Sequence, residues 1–305
     1  MNDNYFHREM SLGPKENDVM KDLKIYCFQH HFLPTNHFKD ADIIITNTIF
    51  SDDIIEYAIK NHIPLIKRYD GVFWKNSEKE RNISLNNSAI IANHTIFISD
   101  YSQKAFHTLY PELKLKSESV ILNNVDNSIF CKKKDINELI WCASATNWQR
   151  SEKRFNELLK FAQICTEPIY LMGRCDLPTP KNIIKFGYLD NSRSMVDIIN
   201  ECSAFVNLTY RDAGAKVVSQ GLNCGLPVLY ASSGGVPELV GEYGVSINDN
   251  QEISFDDIEN ELDSDDILES YNNFKNNFYQ LKNIIKARDY RLTMKEYFDT
   301  LKKFL

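Results

Sequence analysis

The stretch from Cys202 to Val245, CSAFVNLTYRDAGAKVVSQGLNCGLPVLYASSGGVPELVGEYGV, constrains this chain more than any other. It reads as strand, loop, helix, strand, loop, helix. Ala204–Leu208 is an apolar run of strand length, and Arg211–Gly214 is a polar, glycine-containing break. Ala215–Leu222 carries Val217, Val218 and Leu222 at helical spacing, and Gly225 followed by Pro227 stops it. Val228–Ala231 is a second buried strand, Ser232–Gly235 is a flexible loop, and Pro237 suits the first turn of another helix. Each loop ends a strand and opens a helix, where backbone N–H groups and the helix dipole favour an anion. A ligand carrying phosphates and hydroxyls would lie outside the carboxyl ends of the strands. Any α/β domain has such loops, so spacing alone does not single out a site.

The punctuation is more specific. Asp212 and Gln220 stand eight residues apart. Cys224, Gly225, Leu226, Pro227 and Val228 follow, then Gly234, Gly235, Val236, Pro237 and Glu238. In this order the residues resemble the donor-nucleotide half of retaining glycosyltransferases of the GT-B fold (family 4-like, "group 1"). In that family the positions of Asp212 and Gln220 hold a Glu pair, so here one carboxylate is shorter and the other is an amide. The resemblance implies an α/β protein of two Rossmann-like domains facing across a cleft, with a C-terminal helix crossing back to the first. It also implies a metal-independent transferase that needs no cofactor and takes a nucleotide-sugar as substrate.

Composition agrees with a two-domain globular chain. The 305 residues are 43% hydrophobic and 12% aromatic, enough for sizeable cores. Acidic residues outnumber basic ones, 42 to 35, which argues against a nucleic-acid binder. Seven scattered cysteines, an odd number with no Cys-x-x-Cys pair, suit free thiols. The polar start MNDNYFHREM lacks an apolar signal region, and no apolar run reaches spanning length. The expectation is a cytoplasmic protein, with peripheral membrane contact as a minority alternative.

Regular alternation follows from Ala41 onwards. Ala41–Thr46 and Ile63–Lys67 read as strands, and Asp52–Asn61 reads as a helix capped by Ser51. Thr95–Ser99 is a strand before a helix capped by Ser99 or Asp100, and Val120–Leu122 is another strand. Upstream, Val19–Leu23 reads as helix and Leu23–Phe28 as strand, after a break holding Gly13, Pro14 and Lys15. Alternating strands and helices imply mostly parallel sheets. His30, His31 and His37 lack metal spacing, and no metal site is expected. Three segments here also match the family: Arg68-Tyr69-Asp70-Gly71, Phe97-Ile98-Ser99 with Tyr101-Ser102, and Asn123-Asn124-Val125-Asp126 with Phe130. The last marks the exit from the first domain, so the domains are expected at 1–131 and 132–285, with 286–305 a helix packing back. Cys131–Asp135 is the linker, its lysines a solvated run.

In the second half Leu139–Ser144 reads as a strand, Ala145–Glu152 as a polar loop, and Phe155, Leu158, Leu159 and Ala162 as a helical stripe. Ile169–Met172, Ile183–Gly187 and Met195–Ile199 continue the alternation, and Asn283–Leu305 is an amphipathic helical region. The acidic stretch Asp249–Asp266 reads as solvated. Residue by residue, the resemblance implies the following roles. Arg150 and Lys153, in a loop with Asn147, meet the donor diphosphate, with Lys153-Arg154-Phe155 in the place of the family's Lys-Gly-Phe. Gly187 and Tyr188 face the base. Asp212 holds sugar hydroxyls, and Ala213, Gly214, Ala215 and Lys216 supply the helix start. Gln220 hydrogen-bonds the ribose, Gly13 approaches the donor, and Asp70 meets the acceptor hydroxyl, though an Asx-turn explains Asp70 equally well. The acceptor is a glycan, a lipid-linked hydroxyl or another hydroxyl compound. Nucleotide, sugar, linkage and oligomeric state are left open by the sequence. Two alternatives share the fold: a catalytically silent nucleotide-sugar binder and a sugar-nucleotide epimerase.

Overall fold

The computed structural model describes residues 4–6, 34–35, 37–249, 252–255 and 261–305. The readings on Gly13, Val19–Leu23, Leu23–Phe28, Cys27, His30 and His31 lie outside the described residues. The chain forms two compact units: unit 1 takes Met1–Leu122, Ile253–Asp257 and Arg291–Leu305, and unit 2 takes Asn123–Glu252 and Ile258–Tyr290.

Unit 1 contains β1 (Asn4–Phe6), β2 (Pro34–Thr35), β3 (Ile44–Thr46), α1 (Asp52–Asn61), β4 (Leu65–Tyr69), α2 (Lys79–Ile91), β5 (His94–Phe97), α3 (Asp100–Leu109) and β6 (Glu118–Val120). Its strands lie in the order β2-β1-β3-β4-β5-β6, every neighbour parallel. Ile44, Phe50, Ile54, Ala58 and Leu65 form one core, and Tyr69, Ala89, Phe97 and Phe106 form another. The Tyr69 ring lies 5.4 Å from Phe97 and 5.5 Å from Phe106. Ser99 caps α3 with a reciprocal capping box to Ser102. Ser51 occupies the cap position of α1, but its hydroxyl bonds the Asp53 carboxylate instead of a backbone N–H.

Helix α2 has no apolar stripe, which is why the sequence pattern misses it. Its buried side chains include Asn82, Asn86 and Ser88. They pin loops. The Asn82 amide donates to the Phe73 carbonyl and its oxygen accepts from the Phe73 N–H, both at 2.8 Å. Asn86 accepts from the Tyr69 hydroxyl at 2.7 Å, and Ser88 accepts from the Phe50 N–H at 3.1 Å.

Strand β4 begins and ends two residues later than expected and carries two buried basic side chains on opposite faces. Arg68 donates to the Tyr297 hydroxyl at 3.0 Å and pairs with Asp70. Burial works against its charge, yet Asp70 and Tyr297 hold the guanidinium protonated. Lys67 is fully buried and donates to the Arg68 carbonyl at 2.8 Å. Burial lowers its amine to about 7; the Asp70 carboxylate opposes this and Arg68 reinforces it.

Unit 2 contains β7 (Trp141–Asn147), α4 (Phe155–Ile164), β8 (Ile169–Arg174), β9 (Ile183–Gly187), α5 (Ser192–Ile199), β10 (Ala204–Asn207), α6 (Lys216–Asn223), β11 (Val228–Ala231), α7 (Val236–Val240), β12 (Gly244–Ile247) and α8 (Ser264–Ile284). The order β12-β11-β10-β7-β8-β9, all parallel, is the doubly wound Rossmann order. Successive strand residues sort into two cores. Trp141, Ala143, Val206 and Leu229 face α4 and α8, while Cys142, Phe205, Val228 and Tyr230 face α5, α6 and α7. Trp141 is wholly buried and meets Phe161 edge-on at 5.0 Å. The lysine run belongs to this unit. Lys132, Lys133 and Lys134 pair with Asp135, Asp197 and Glu201 at the surface, where such pairs contribute little.

The expected helical region Asn283–Leu305 is two helices. Helix α8 ends at Ile284, and α9 (Tyr290–Lys302) begins after a break, its residues from Arg291 belonging to unit 1. The acidic stretch is not uniformly solvated either, since the Asp249 side chain is buried. The six described cysteines are free. No described helix is long and apolar enough to cross a membrane.

Two glycines separate strain from close packing. Both have positive φ, but a Cβ at Gly173 would stand 1.7 Å from the Ala145 carbonyl oxygen, while one at Gly187 meets nothing. Gly187→Ala is therefore expected to cost about 1 kcal/mol, and Gly173→Ala about 3 kcal/mol or more, by urea unfolding. Lys67 makes stability depend on pH. Between about 7 and 10.5 the unfolded chain holds a proton that the folded Lys67 lacks, so stability rises with pH across that window. Melting curves should show Lys67→Met more stable than wild type below pH 7, with the gain shrinking as pH rises.

Candidate functional site

The Rossmann order of unit 2 reverses between β7 and β10, which pair directly. A crevice at the carboxyl ends of such strands is where ligands bind in open α/β sheets. The loops leaving these two strands, 148–154 and 208–215, hold three charged side chains expected from the sequence, Arg150, Lys153 and Asp212, and the last two meet. The Lys153 ammonium donates to the Asp212 carboxylate at 3.0 Å. Their side chains are 18% and 24% exposed, so a ligand can reach both.

Several bonds set this pair. The Tyr210 N–H donates to the Glu152 carbonyl at 2.8 Å, tying the loops together. The other Asp212 oxygen accepts from the Gly214 N–H at 3.2 Å, an Asx-type turn just before α6. The Asp212 carbonyl accepts from the Gly235 N–H at 2.8 Å. A Cβ on Gly234 would stand 2.3 Å from that carbonyl, so this approach requires glycine. Ser233, fully buried, accepts from the Arg211 N–H at 2.9 Å. Helix α6 begins after Ala215 with no side-chain cap.

Two arginines that the sequence reading assigned no role underlie the site. Arg154 and Arg211 are buried and left-handed, with φ of 51° and 52°. That backbone costs about 1 kcal/mol for a residue with a Cβ. Both guanidiniums pack over the Tyr210 ring, 4.5 and 4.6 Å from its centre. Arg154 also forks onto the buried Asp249 carboxylate at 2.7 and 3.0 Å, the bidentate geometry that suits arginine. Arg211 donates to the Glu252 carbonyl at 2.6 Å. The one clue in sequence is that Arg154 stands where the resembled family has glycine, a residue at ease with positive φ.

The remaining expected residues are spread more widely. Gln220, on the second turn of α6, is buried, and its side-chain oxygen has no hydrogen-bond partner among the described residues. An orphaned buried acceptor is costly, and a donor on a ligand would satisfy it. Lys216 opens α6, beside Ala213, Gly214 and Ala215. Asn147 ends β7 and turns its own loop by accepting from the Gln149 N–H at 2.9 Å. Arg150 pairs with Glu152 and lines a cavity of about 280 Å³ with Lys160, Glu157 and Glu261, a lining without Lys153 or Asp212. Gly187 is left-handed and Tyr188 exposed, with the Arg174 guanidinium 4.9 Å from the Tyr188 ring centre. Asp70 belongs to unit 1, and Gly13 lies outside the described residues. Among the described residues no three His, Cys, Asp or Glu side chains gather as a metal-ligand set.

No protein-family model matches the chain, and no curated protein sequence does. Solved structures match in fold. A glycosyltransferase from Rickettsia africae aligns over 100% of this chain and 99% of its own, with TM-score 0.68 and 10% identity. HepE from Anabaena, in complex with UDP-glucose, aligns over 98% and 99%, with TM-score 0.69 and 12% identity. Sucrose-phosphate synthase from Thermosynechococcus elongatus aligns over 93% and 77%, with TM-score 0.64 and 11% identity. At these identities the likeness shows the fold. It is the parallel, Rossmann-like α/β architecture of GT-B type glycosyltransferases, as expected from the sequence.

The buried pair beneath the site can be tested by a double-mutant cycle. Asp249→Asn leaves Arg154 without its carboxylate and is expected to cost about 3 kcal/mol or more in chemical denaturation. Adding Arg154→Gly removes both the orphaned charge and the left-handed strain, so the double variant should be more stable than Asp249→Asn alone.

Proposed function

We propose that this chain is a glycosyltransferase that moves a sugar from a nucleotide-sugar, of the UDP-hexose class, to a hydroxyl acceptor with retention of configuration. The observation that carries the reading is the reachable Lys153–Asp212 pair at the β7/β10 switch point, beside the start of α6. The likeness to HepE structures with UDP and UDP-glucose supports this donor class.

Breaking the anomeric C–O bond gathers positive charge on the sugar and negative charge on the leaving diphosphate. Lys153 is the cation for the diphosphate, helped by N–H groups and the dipole at the start of α6. When the ligand enters, Lys153 exchanges part of its contact with Asp212 for phosphate oxygens. Asp212 is thereby released to hold sugar hydroxyls. Gln220 presents its orphaned oxygen to a ribose hydroxyl donor. Arg150 is exposed and its pair with Glu152 is a surface one, so its guanidinium is free to turn and add charge beside Lys153. Asp70 of unit 1 meets the acceptor. On this reading no metal is needed, the acceptor is a glycan, a lipid-linked or another hydroxyl compound, and the protein works in the cytoplasm or at a membrane surface.

A second reading has one observation in its favour. Lys153 is already neutralised by Asp212, and an amide replaces the second family carboxylate, as in a protein that binds nucleotide-sugars without turning them over. Turnover separates the two. UDP-sugars should raise the melting temperature by mass action. In Lys153→Ala, donor hydrolysis or transfer should fall roughly 100-fold in kcat with folding intact. Wild-type binding with no turnover on any acceptor supports the silent reading, and an unaffected Lys153→Ala removes this residue from the site.

A further inference from the structure

Asn123, the first residue of unit 2, reaches the loop that opens α6 across 91 residues of sequence. Its side-chain amide donates to the Gly214 carbonyl at 2.7 Å. The Gly214 N–H is held in turn by the Asp212 carboxylate. Both backbone groups of this glycine are therefore tied, and an untied glycine has the widest choice of backbone angles. The peptide between Gly214 and Ala215 is trans and planar, so holding its carbonyl also holds the direction in which the helix starts.

Two further bonds lay α6 along the same segment. The Ser219 hydroxyl donates to the Asn123 carbonyl at 3.3 Å, and the Asn223 amide donates to the Val125 carbonyl at 3.1 Å. Ala215, Ser219 and Asn223 follow one another at four-residue steps, in one row along the helix. Lys216 and Gln220 form the adjacent row.

The start of α6 is set for an anion. It has no side-chain cap, so its first N–H groups lack partners inside the helix. Its first turn carries Lys216 and no acidic residue, the reverse of what the helix dipole favours without a bound anion. Lys216 and Val217 are only partly buried, so a ligand can reach this turn.

We infer that Asn123 is a positioning residue for the donor diphosphate. It fixes the peptide at which the Asp212 loop turns into α6, and so aims the start of the helix at the phosphates. That the diphosphate belongs to a nucleotide-sugar rests on the transferase reading above; the tether does not. N–H groups held in advance need no reorganisation as charge gathers on the leaving diphosphate.

Titration calorimetry of the full chain with UDP and with inorganic pyrophosphate tests this. Asn123→Ala should weaken both about tenfold. Ser219→Ala removes a neighbouring bond to the same segment but leaves the Gly214 carbonyl held, so its affinities should stay near wild type. An equal loss in the two variants marks a merely structural role and overturns the inference. So does unchanged affinity in Asn123→Ala, or binding of neither probe by wild type. If Asn123→Ala fails to fold, the wild-type Asn123 side-chain amide decides by NMR. Its resonances should shift on adding pyrophosphate, because an anion on the helix start polarises the bonded Gly214 peptide; stationary resonances overturn the inference. UDP binding that Asn123→Ala leaves intact defeats only the positioning role. Pyrophosphate binding that Asn123→Ala weakens, without binding of UDP or UDP-glucose, defeats only the transferase reading.

Discussion

The contact between Lys153 and Asp212 depends on two backbones turned left-handed. Arg154 follows Lys153 and Arg211 precedes Asp212, and both carry positive φ. An L-residue resists that conformation, so something must hold it. Here Asp249 and the Tyr210 ring hold Arg154, while Ser233, Glu252 and the same ring hold Arg211. The strain is thus local to the two loops that flank the switch point, and the hydrogen bonds around it over-determine the turn. The result is a cation and a carboxylate presented side by side at the strand ends, neither fully buried.

Unit 1 uses a different strategy for its loops. Its second helix gives up an apolar face and spends buried asparagines and a serine on loop carbonyls, N–H groups and a tyrosine hydroxyl. Such bonds add little net stability each, but leaving them unmade would be costly. They therefore define loop shape more than they add to stability. The same strand end carries a charged arginine on one face and a buried amine on the other, so the polar chemistry of this unit is concentrated at β4.

The architecture was largely legible because strand periodicity is simple. Trp141, Cys142 and Ala143, like Phe205 and Val206, alternate between two apolar cores, and continuous apolar runs bounded by polar breaks mark such strands. Helix α2 was illegible for the converse reason, since its inward face is polar and no hydrophobic period exists to find. The break between α8 and α9 lies close to the expected start of a separate last helix at 286, although residues 285–289 hold no glycine or proline to mark it. In the site, Lys153 and Asp212 were readable from family punctuation. The Arg154–Asp249 fork was not, because its partners are 95 residues apart and Asp249 opens a run of carboxylates that looks solvated. Arg150 was readable as a cation of the same loop as Lys153, whereas its surface pairing with Glu152 is not encoded by spacing.

The central claim is that the β7/β10 switch point of unit 2 binds the donor. Isotope-edited NMR of the full chain titrated with UDP-glucose tests it most directly. The account expects saturable shift changes centred on the amides of Asp212–Lys216 and on Lys153 and Gln220. Changes confined to the Arg150–Lys160 cavity, or none at saturating ligand, would contradict it.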